Sequence, residues 1–413
     1  MTKSVDYDVV VIGAGAAGLA ATQDLMARGA KVICIEASAR TGGRVHTDTQ
    51  HFGVACDTGA HWLHNRDLNP FVDAGQAMGL TLYPASEAAL THGADPEGRA
   101  LWSQAKAMEE AVFQAAKDGR DVPATDILDL SQPWALTAAM MHALSMGRDL
   151  GTASTADWYS AVETENWFCR EGYGTLLMEH HSKTPVTINT FARHVTVTKD
   201  GVTVETDRGQ ITAAAAIVTV SMGVLAAEAI RFNPPLEVDH LRAIEAITLG
   251  DYNHTVLQFA PGALPVPEDC WVSYSADTIK DGSVQGGGFL CNISGSGLTT
   301  FETCGQFSRD LQAAGQGAAI EAAMSTLCDI FGAGIRAYFV KGLSTEWGRD
   351  PLVRGSYSGA MPGQSHRRKD LRTPHAERIL FAGEATHLCE QATVPGAHKE
   401  GQRAARRALD LLT

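Results

Sequence analysis

The chain has 413 residues, of which 45% are hydrophobic and 19% are charged, and its formal net charge at pH 7 is −14. The length exceeds that of one compact core, and the composition is typical of a globular protein rather than of a disordered chain. The negative charge argues against a nucleic-acid partner, which favours a basic surface. We expect no membrane span, because every apolar run is short.

The eight cysteines contain no Cys-x-x-Cys pair and no zinc-ligand spacing, so we expect reduced thiols and no metal site. The first apolar run is short and breaks at once into glycines, which is unlike a signal peptide. Together these features predict a cytoplasmic protein. The sequence leaves open whether it is a monomer or a homodimer.

The first predicted elements form one βαβ unit. Residues 7–12 are a continuous apolar, β-branched run, typical of a parallel strand covered on both faces. Residues 19–28 have helical spacing and end before a glycine, and residues 31–35 form a second apolar run. A strand, a helix and a strand within this length predict the start of a nucleotide-binding fold.

The turn of this unit carries a G-x-G-x-x-G motif formed by Gly13, Gly15 and Gly18. The first glycine permits a tight turn, the second lets a pyrophosphate approach the backbone, and the third lets the helix pack closely. Glu36 follows the second strand, where a carboxylate binds the hydroxyls of an adenosine ribose and repels a 2′-phosphate. The motif therefore predicts a dinucleotide site that disfavours NADP.

A second glycine-rich element follows directly and favours FAD over NAD. Gly43 and Arg44 lie in the run of residues 40–45, immediately after the ribose acid. Two glycines and an arginine can enclose a pyrophosphate and a flavin from the opposite side, and an NAD dehydrogenase has no need of this element. We therefore predict FAD as the cofactor.

The rest of the chain alternates between helix-rich and strand-rich segments. Residues 50–170 are predicted to be rich in helix, whereas residues 195–206 form a hairpin and residues 216–220 a further apolar strand. A helix is predicted near residues 318–331, and residues 378–412 are predicted as a strand, a glycine-rich turn and a helix. The nucleotide-binding character thus returns at the end of the chain.

We therefore predict an α/β fold with two domains. One is a discontinuous, Rossmann-like FAD-binding domain made of residues 1–60, 185–235 and 370–413. The other is a substrate-binding domain with a mixed β-sheet and helices, made of residues 61–184 and 236–369. The flavin is expected to lie between them.

Beyond the nucleotide motif, the sequence resembles the flavin amine oxidase family, which groups monoamine oxidases, polyamine oxidases and lysine-specific histone demethylases. The resemblance covers most of the chain and rests on blocks in the family's order: residues 9–18, Glu36 with 42–44, 59–62, 172–177, 217–225 with 232–236, Trp347 with 355–357, and 381–386 followed by 393–397. It implies FAD-dependent oxidation of a small amine to an imine, and then to an aldehyde or ketone, with molecular oxygen reduced to hydrogen peroxide.

The resemblance also implies roles for individual residues. Trp347 and Tyr357 match residues that wall the substrate side of the flavin. The cofactor contacts that it implies, beyond the glycines, involve Glu36, Arg44, Trp62, Val195, Glu384, Thr393 and Val394. Of these, Thr393 and Val394 open the last helix, whose N-terminus is favourable for the negative charge of a reduced flavin.

Three positions depart from the family pattern. Ser356 stands where covalent members have a cysteine, so the FAD is expected to be non-covalent. His254 stands where the family has a lysine that holds a water at the flavin; the histidine either takes over that role or only packs. Glu390 stands where an aromatic residue is usual, and it either binds an ammonium group or points to solvent.

The sequence permits more than one role for several other residues. His61 and His64 either line the substrate pocket or pack, with a metal as the weaker reading because no further ligand is evident. We expect His180 and His181 at the surface, residues 294–297 in a hairpin loop, and residues 367–369 in a solvated loop. Alternative functions are a dehydrogenase or desaturase on a non-amine substrate, use of an acceptor other than oxygen, and a non-catalytic flavoprotein.

Overall fold

A computed structural model describes residues 5–93, 98–274, 278–280 and 282–412. Within these ranges the α-helices are α1 (Ala16–Ala27), α2 (Pro70–Ala77), α3 (Arg99–Lys117), α4 (Ala135–Met146), α5 (Thr155–Ser160), α6 (Tyr173–His180), α7 (Met222–Ala226), α8 (Val238–Ala246), α9 (Gly305–Ala314), α10 (Gln316–Phe331) and α11 (Val394–Asp410).

The strands of the same ranges are β1 (Tyr7–Ile12), β2 (Val32–Ile35), β3 (Thr47–Asp48), β4 (Cys56–Asp57), β5 (Leu82–Pro84), β6 (Ala89–His92), β7 (Trp167–Cys169), β8 (Ala192–Val197), β9 (Val202–Thr206), β10 (Gly209–Val218), β11 (Arg231–Asn233), β12 (Ile247–Leu249), β13 (Tyr252–Phe259), β14 (Cys270–Tyr274), β15 (Ile279–Lys280), β16 (Ser283–Val284), β17 (Gly288–Ile293), β18 (Leu298–Cys304), β19 (Phe339–Ser344), β20 (Ser358–Ala360) and β21 (Ile379–Phe381).

The larger sheet has seven strands in the order β11-β8-β9-β10-β1-β2, with β21 also pairing with β10. Strand β1 runs parallel to β2 and β10, and β10 runs parallel to β21. These parallel strands are covered on both faces, which explains why the sequence of β1 is a continuous apolar run. Their carboxyl ends therefore meet at one edge of the sheet, where ligands bind in open α/β folds.

Helix α11 packs against α1 and closes this sheet on one face. The approach is tight enough that a Cβ on Gly401 would lie 2.1 Å from the carbonyl oxygen of Ala17. Small residues also line the contact from α11, because Ala404, Ala405 and Ala408 are fully buried. Two helices from opposite ends of the chain are thereby placed side by side.

A second sheet of six strands has the order β19-β13-β18-β17-β14-β6. Its pairs are antiparallel except for β14 and β6, which are parallel. Helices α9 and α10 pack beside it, with Ala323 and Leu327 of α10 fully buried. Every residue of β18 is buried, so this strand lies at the centre of the second unit.

Several predictions of local structure are confirmed, including the hairpin of β8 and β9, the helix α10 and the loop at residues 294–297 between β17 and β18. The larger sheet takes its strands from the segments predicted to bind FAD, and the six-stranded sheet from the other segments. The domain boundaries themselves stay a prediction. In the described ranges, no helix combines the length and apolarity needed to cross a bilayer.

Two predictions about surface residues are wrong. His181 is 4% exposed and packs against the rings of His180 and His398, because α6 presents its last turn to α11. Arg368 is 2% exposed, and its guanidinium forms a two-point ion pair with Asp157 at 2.6 and 2.8 Å. The basic run at 367–369 is therefore not a solvated loop, since its middle residue is buried.

Candidate active site

A single cavity of about 1310 Å³ joins the carboxyl edge of the larger sheet to the six-stranded sheet. Its lining combines the glycine turn after β1 with residues from the loops, helices and strands of the inserted segments. The sequence-predicted residues that line it are Gly13, Gly15, Glu36, Gly43, Arg44, Trp62, His254, Trp347, Tyr357, Glu384, Thr393 and Val394. Most of the predicted site is thus brought together in one place.

The glycines of the turn leave room for a ligand beside the backbone. A Cβ on Gly15 would meet no atom within 4 Å and would project into space that the cavity occupies. A Cβ on Gly18 would lie 1.8 Å from the carbonyl oxygen of Gly13, so this glycine serves the packing of α1 on the turn. Gly18 itself does not line the cavity, which fits its predicted packing role.

The second glycine element lies beside the first. Gly42 donates its backbone N–H to the carbonyl of Ala14 at 2.8 Å, and Gly43 has a positive φ of 58° that favours glycine. Glu36 is held rigidly, since its carboxylate accepts hydrogen bonds from the backbone N–H groups of Ala14 at 2.7 Å and Ser38 at 2.8 Å. A dinucleotide with an adenosine ribose fits this arrangement.

An ion pair joins two residues that line the cavity. Arg44 reaches the buried carboxylate of Glu384 at 2.9 Å and also donates to the backbone carbonyl of Ser356. Burial opposes ionisation of Glu384, but Arg44 and a hydrogen bond from Ser358 outweigh it, so the pKa of Glu384 is lowered. The Ser356 hydroxyl is buried and has no partner within the described chain, and the residue lines the cavity.

Helix α11 begins at the cavity. The Thr393 side chain caps the helix by accepting a hydrogen bond from the N–H of Gly396 at 3.0 Å, and Pro395 occupies the first turn. Thr393 and Val394 both line the cavity, so the positive end of the helix dipole faces it. This is the environment that stabilises negative charge on a bound ligand.

The other end of the cavity is lined by an aromatic wall, which we define as Trp62, Tyr252, Trp271, Trp347 and Tyr357. Trp347 is fixed by a hydrogen bond from its indole N–H to the carbonyl of Thr58 at 2.9 Å, and Tyr357 by one to the carbonyl of Leu144 at 2.5 Å. The rings of Tyr252 and Tyr357 are 5.5 Å apart. Such faces attract cations and exclude water.

A carboxylate that the sequence patterns did not predict lies within this wall. Glu302 lies on β18, is 4% exposed, lines the cavity and accepts a hydrogen bond from the hydroxyl of Tyr252. Burial raises the pKa of Glu302 to about 7, although Tyr252 and the nearby His61 act to lower it. A glutamate in the otherwise uncharged run of residues 298–304 was the available signal, because buried carboxylates are rare without a role.

Two histidines flank Glu302 in the cavity. His61 holds the carboxylate of Asp57 at 2.9 Å through Nδ1, and its buried Nε2 has no partner among the described residues. His254 is 6% exposed, and burial together with nearby His61 lowers its pKa to about 4. His254 is therefore neutral at physiological pH, unlike the lysine that the family resemblance places there.

Two predicted site residues lie elsewhere. Val195 is fully buried in the core, and the cavity instead reaches the preceding residues Ala192 and Arg193. Glu390 is neither a cavity residue nor solvent-exposed, because its buried carboxylate pairs with Lys399 at 2.6 Å. The predicted ammonium contact at Glu390 is thus not what the geometry offers, and the backbone contact of Val195 with adenine stays a prediction.

The comparisons with known proteins agree with this geometry. Residues 131–409 match the model of the family described as flavin containing amine oxidoreductase, and residues 11–74 match an NAD(P)-binding Rossmann-like domain. The chain belongs to the flavin containing amine oxidoreductase family. It is accordingly a flavin-dependent amine oxidoreductase with an α/β fold, and its cofactor is FAD.

Relatives in this family cover nearly the whole chain. Polyamine oxidase 2 of Arabidopsis thaliana is 29% identical over 98% of this chain and 88% of its own length. Lysine-specific histone demethylase 1 homolog 2 of Oryza sativa subsp. japonica is 27% identical over 97% of this chain, which spans 57% of that protein. The match therefore spans nearly all of this chain in both cases, and it spans most of the plant polyamine oxidase but little more than half of the demethylase.

Solved structures of the same fold include two amine oxidases. A redesigned putrescine oxidase superimposes with a TM-score of 0.79 at 19% identity, covering 98% of this chain and 99% of that chain. Cyclohexylamine oxidase from Brevibacterium oxydans IH-35A superimposes with a TM-score of 0.77 at 19% identity, covering 99% of this chain and 100% of that chain. At this identity the likeness shows the fold.

Proposed function

We propose that the protein oxidises a small cationic amine to an imine, which water converts to an aldehyde or ketone, and that molecular oxygen is reduced to hydrogen peroxide. The observation that carries this proposal is the shared cavity. A glycine turn, a ribose acid and a helix N-terminus lie at one end, and an aromatic wall with the buried carboxylate Glu302 lies at the other.

FAD would be held, without a covalent bond, by the residues that we define as the flavin cradle: Gly13, Gly15, Glu36, Gly43, Arg44, Glu384, Thr393 and Val394. FAD held there would supply the redox chemistry: once the amine nitrogen has lost its ammonium proton to solvent, the flavin would take up a hydride from the neighbouring carbon, and oxygen would take up the two electrons. Ser356 supports the non-covalent mode, since a hydroxyl cannot form the thioether that a cysteine forms.

The chain's own residues would bind and orient the amine. The Glu302 carboxylate attracts an ammonium group, and the tryptophan and tyrosine faces favour a cation that has lost its water. Excluding water strengthens each of these interactions, because charges interact more strongly in a less polar surrounding. Holding the substrate carbon in one position supplies much of the rate enhancement expected of such a site.

His254 bears on the electron acceptor. As a neutral imidazole it can hold a water by a hydrogen bond, but it offers no positive charge to an oxygen molecule that gains electrons. This observation favours a second candidate activity, in which the same amine oxidation passes its electrons to an acceptor other than oxygen.

The eight unpaired cysteines support the reducing, cytoplasmic setting that the sequence predicts.

The proposal is tested by an amine panel under oxygen, with the purified FAD-loaded protein. Putrescine and cyclohexylamine are the amines named for the two solved structures, spermidine represents the polyamines of the plant relative, and benzylamine adds an amine with an aromatic ring. We expect at least one amine to give equal amounts of peroxide and carbonyl product. Loss of flavin colour with an amine under anaerobic conditions, without peroxide in air, would favour the second candidate; no response to any amine would contradict both.

A further inference from the structure

Away from the cavity, three metal-ligating side chains converge on one point. Glu237 precedes α8, His240 lies in the first turn of α8, and His375 lies ahead of β21. One ligand atom from each lies within 4.8 Å of the others. None of the three lines the active-site cavity.

The outer hydrogen bonds of the two imidazoles fix which nitrogen points at the centre. Nε2 of His240 donates to the carbonyl of Thr373 at 2.9 Å, and Nε2 of His375 donates to the carbonyl of Pro234 at 3.0 Å. A carbonyl only accepts, so each Nε2 carries hydrogen. In the neutral tautomer both Nδ1 atoms then present lone pairs inwards, which is the arrangement found behind metal-bound histidines.

Both Nδ1 atoms face the same carboxylate oxygen. Oε2 of Glu237 lies 2.5 Å from Nδ1 of His375 and 3.0 Å from Nδ1 of His240. Three acceptors directed at one another repel unless a cation lies between them. A single proton on Nδ1 of His375 satisfies the short contact between His375 and Glu237 but leaves His240 unsatisfied. The buried Nδ1 of His240 indeed has no hydrogen-bond partner among the described residues.

The environment suits a metal ion with one open position. The side chains of His240 and His375 are 3% and 1% exposed, whereas that of Glu237 is 52% exposed and can move outwards to admit an ion. The ring of Phe232 lies 6.2 Å from that of His375, and the ring of Phe381 lies 5.4 Å from that of His240, measured between ring centres. A water from the exposed side would complete a fourfold set.

We propose that Glu237, His240 and His375 form a binding site for a divalent ion of the zinc class. Two imidazole nitrogens and one carboxylate oxygen at about 2.0–2.2 Å, with a water as the fourth ligand, match the donors and geometry that Zn²⁺ prefers. Calcium and magnesium are disfavoured, because they favour sets of oxygen ligands. The ion would link the start of α8 to the segment that leads into β21, and would so stabilise the position of β21, which directly precedes Gly383 and Glu384.

The proposal is tested with FAD-loaded protein freed of metal by a chelator and titrated with zinc chloride. The bound zinc is counted with a coloured chelator, and the melting temperature is followed by circular dichroism. We expect one zinc per chain and a rise in melting temperature of roughly 3 °C. Magnesium chloride at the same concentration should give no rise.

The decisive variants are Glu237→Gln and His240→Gln, each of which removes one ligand. Glu237→Gln leaves α8 intact, because the Glu237 side chain forms no capping hydrogen bond. We expect either variant to weaken zinc binding by about tenfold or more, since even the loss of an outer partner of a metal ligand has that effect. Flavin content and far-ultraviolet dichroism show whether each variant is folded.

Two control variants exclude binding at other groups. His194→Gln removes an exposed histidine that pairs with a single glutamate, Glu205, at 3.2 Å and has no second histidine. Cys389→Ser removes the exposed thiol beside His387. Both controls should keep the zinc and the rise in melting temperature. Failure of the unaltered chain to take up zinc, or undiminished zinc binding in Glu237→Gln and His240→Gln, would overturn the proposal.

Discussion

The flavin cradle and the aromatic wall share one cavity but are assembled differently. The cradle is built largely on backbone: glycines that leave space, N–H groups at the start of a helix, and a carboxylate fixed by two backbone amides. The wall is built on side chains carried by two separate loops and by two strands of the six-stranded sheet. Backbone geometry follows from short motifs, whereas a wall of side chains depends on how distant segments meet.

The largest effect is expected from filling the cradle. Gly15→Val places a branched side chain in open cavity space, so the protein should fold but bind FAD roughly 10- to 100-fold more weakly, with activity lost accordingly. Flavin absorbance after gel filtration measures this. Gly317→Ala is the matched control, because Gly317 also has open space around it but lies in α10 outside the cavity. Full flavin content in Gly15→Val would remove the turn from the cofactor site.

The next largest effect concerns a buried ion pair beside the cavity. Arg368 binds Asp157, whose carboxylate also accepts the backbone N–H of Ala360 at 2.8 Å. Arg368→Met leaves Asp157 buried without its partner, so the free energy of unfolding should fall by about 3–5 kcal/mol.

Urea unfolding of Arg368→Met is compared with that of Arg367→Met. Arg367 pairs with Asp370 at 2.9 Å, and both of these side chains are partly exposed to solvent, so its loss should cost about 0–1 kcal/mol. Equal midpoints for the two variants would contradict the difference between the buried and the exposed pair.

A charge change in the wall should act on the substrate and leave the cofactor in place. Glu302→Gln keeps the shape and the contact with Tyr252 but loses the negative charge, so kcat/KM for a cationic amine should fall by about 10- to 100-fold with normal flavin content. Glu109→Gln removes a carboxylate from another part of the cavity lining and should have little effect. An equal loss in both variants would mean that only the overall negative potential matters.

The same residue predicts the pH dependence. The pKa of Glu302 is raised to about 7, so its carboxylate is charged above that pH and protonated below it. The value of kcat/KM should therefore fall as the pH drops below about 7, by up to tenfold per unit. In Glu302→Gln this acidic limb should be absent, and its persistence would assign the titration to another group.

The smallest effect is expected at His254. His254→Lys introduces an ammonium group where the neutral imidazole lies, and a positive charge favours the reduction of oxygen, so reoxidation of the flavin should accelerate by up to about tenfold. Stopped-flow mixing of the reduced protein with oxygen measures the rate. His254→Gln has no charge and should show no acceleration; an unchanged rate in His254→Lys would exclude a role for charge at this position.

The comparison also shows what the sequence could predict. The cradle residues from Gly13 to Arg44 lie in one βαβ unit and in the segment that follows it directly, so their spacing alone places them around a dinucleotide. Glu302 was not predicted because its role depends on the pairing of β18 with β13, which brings Tyr252 to it from 50 residues earlier in the chain. No local pattern records that pairing.

The wrong predictions have the same origin. Glu390 was assigned to the substrate by its distance in residues from Val394. The turn before α11 instead directs its carboxylate to Lys399 within that helix. Val195 does not line the cavity, which reaches only the first residues of β8, and its backbone contact with adenine stays a prediction. A buried charge such as Arg368 requires a partner, and its partner Asp157 is distant in the sequence and close only in the folded protein.

The position of α11 beside α1 has a consequence for biosynthesis. The glycine turn is translated first, but Thr393 and Val394, which complete the cradle, leave the ribosome only after the inserted segments. During most of its synthesis, a nascent chain therefore contains the glycine turn but not yet the start of α11. The full set of cradle residues therefore becomes available to the cofactor only after α11 has been made.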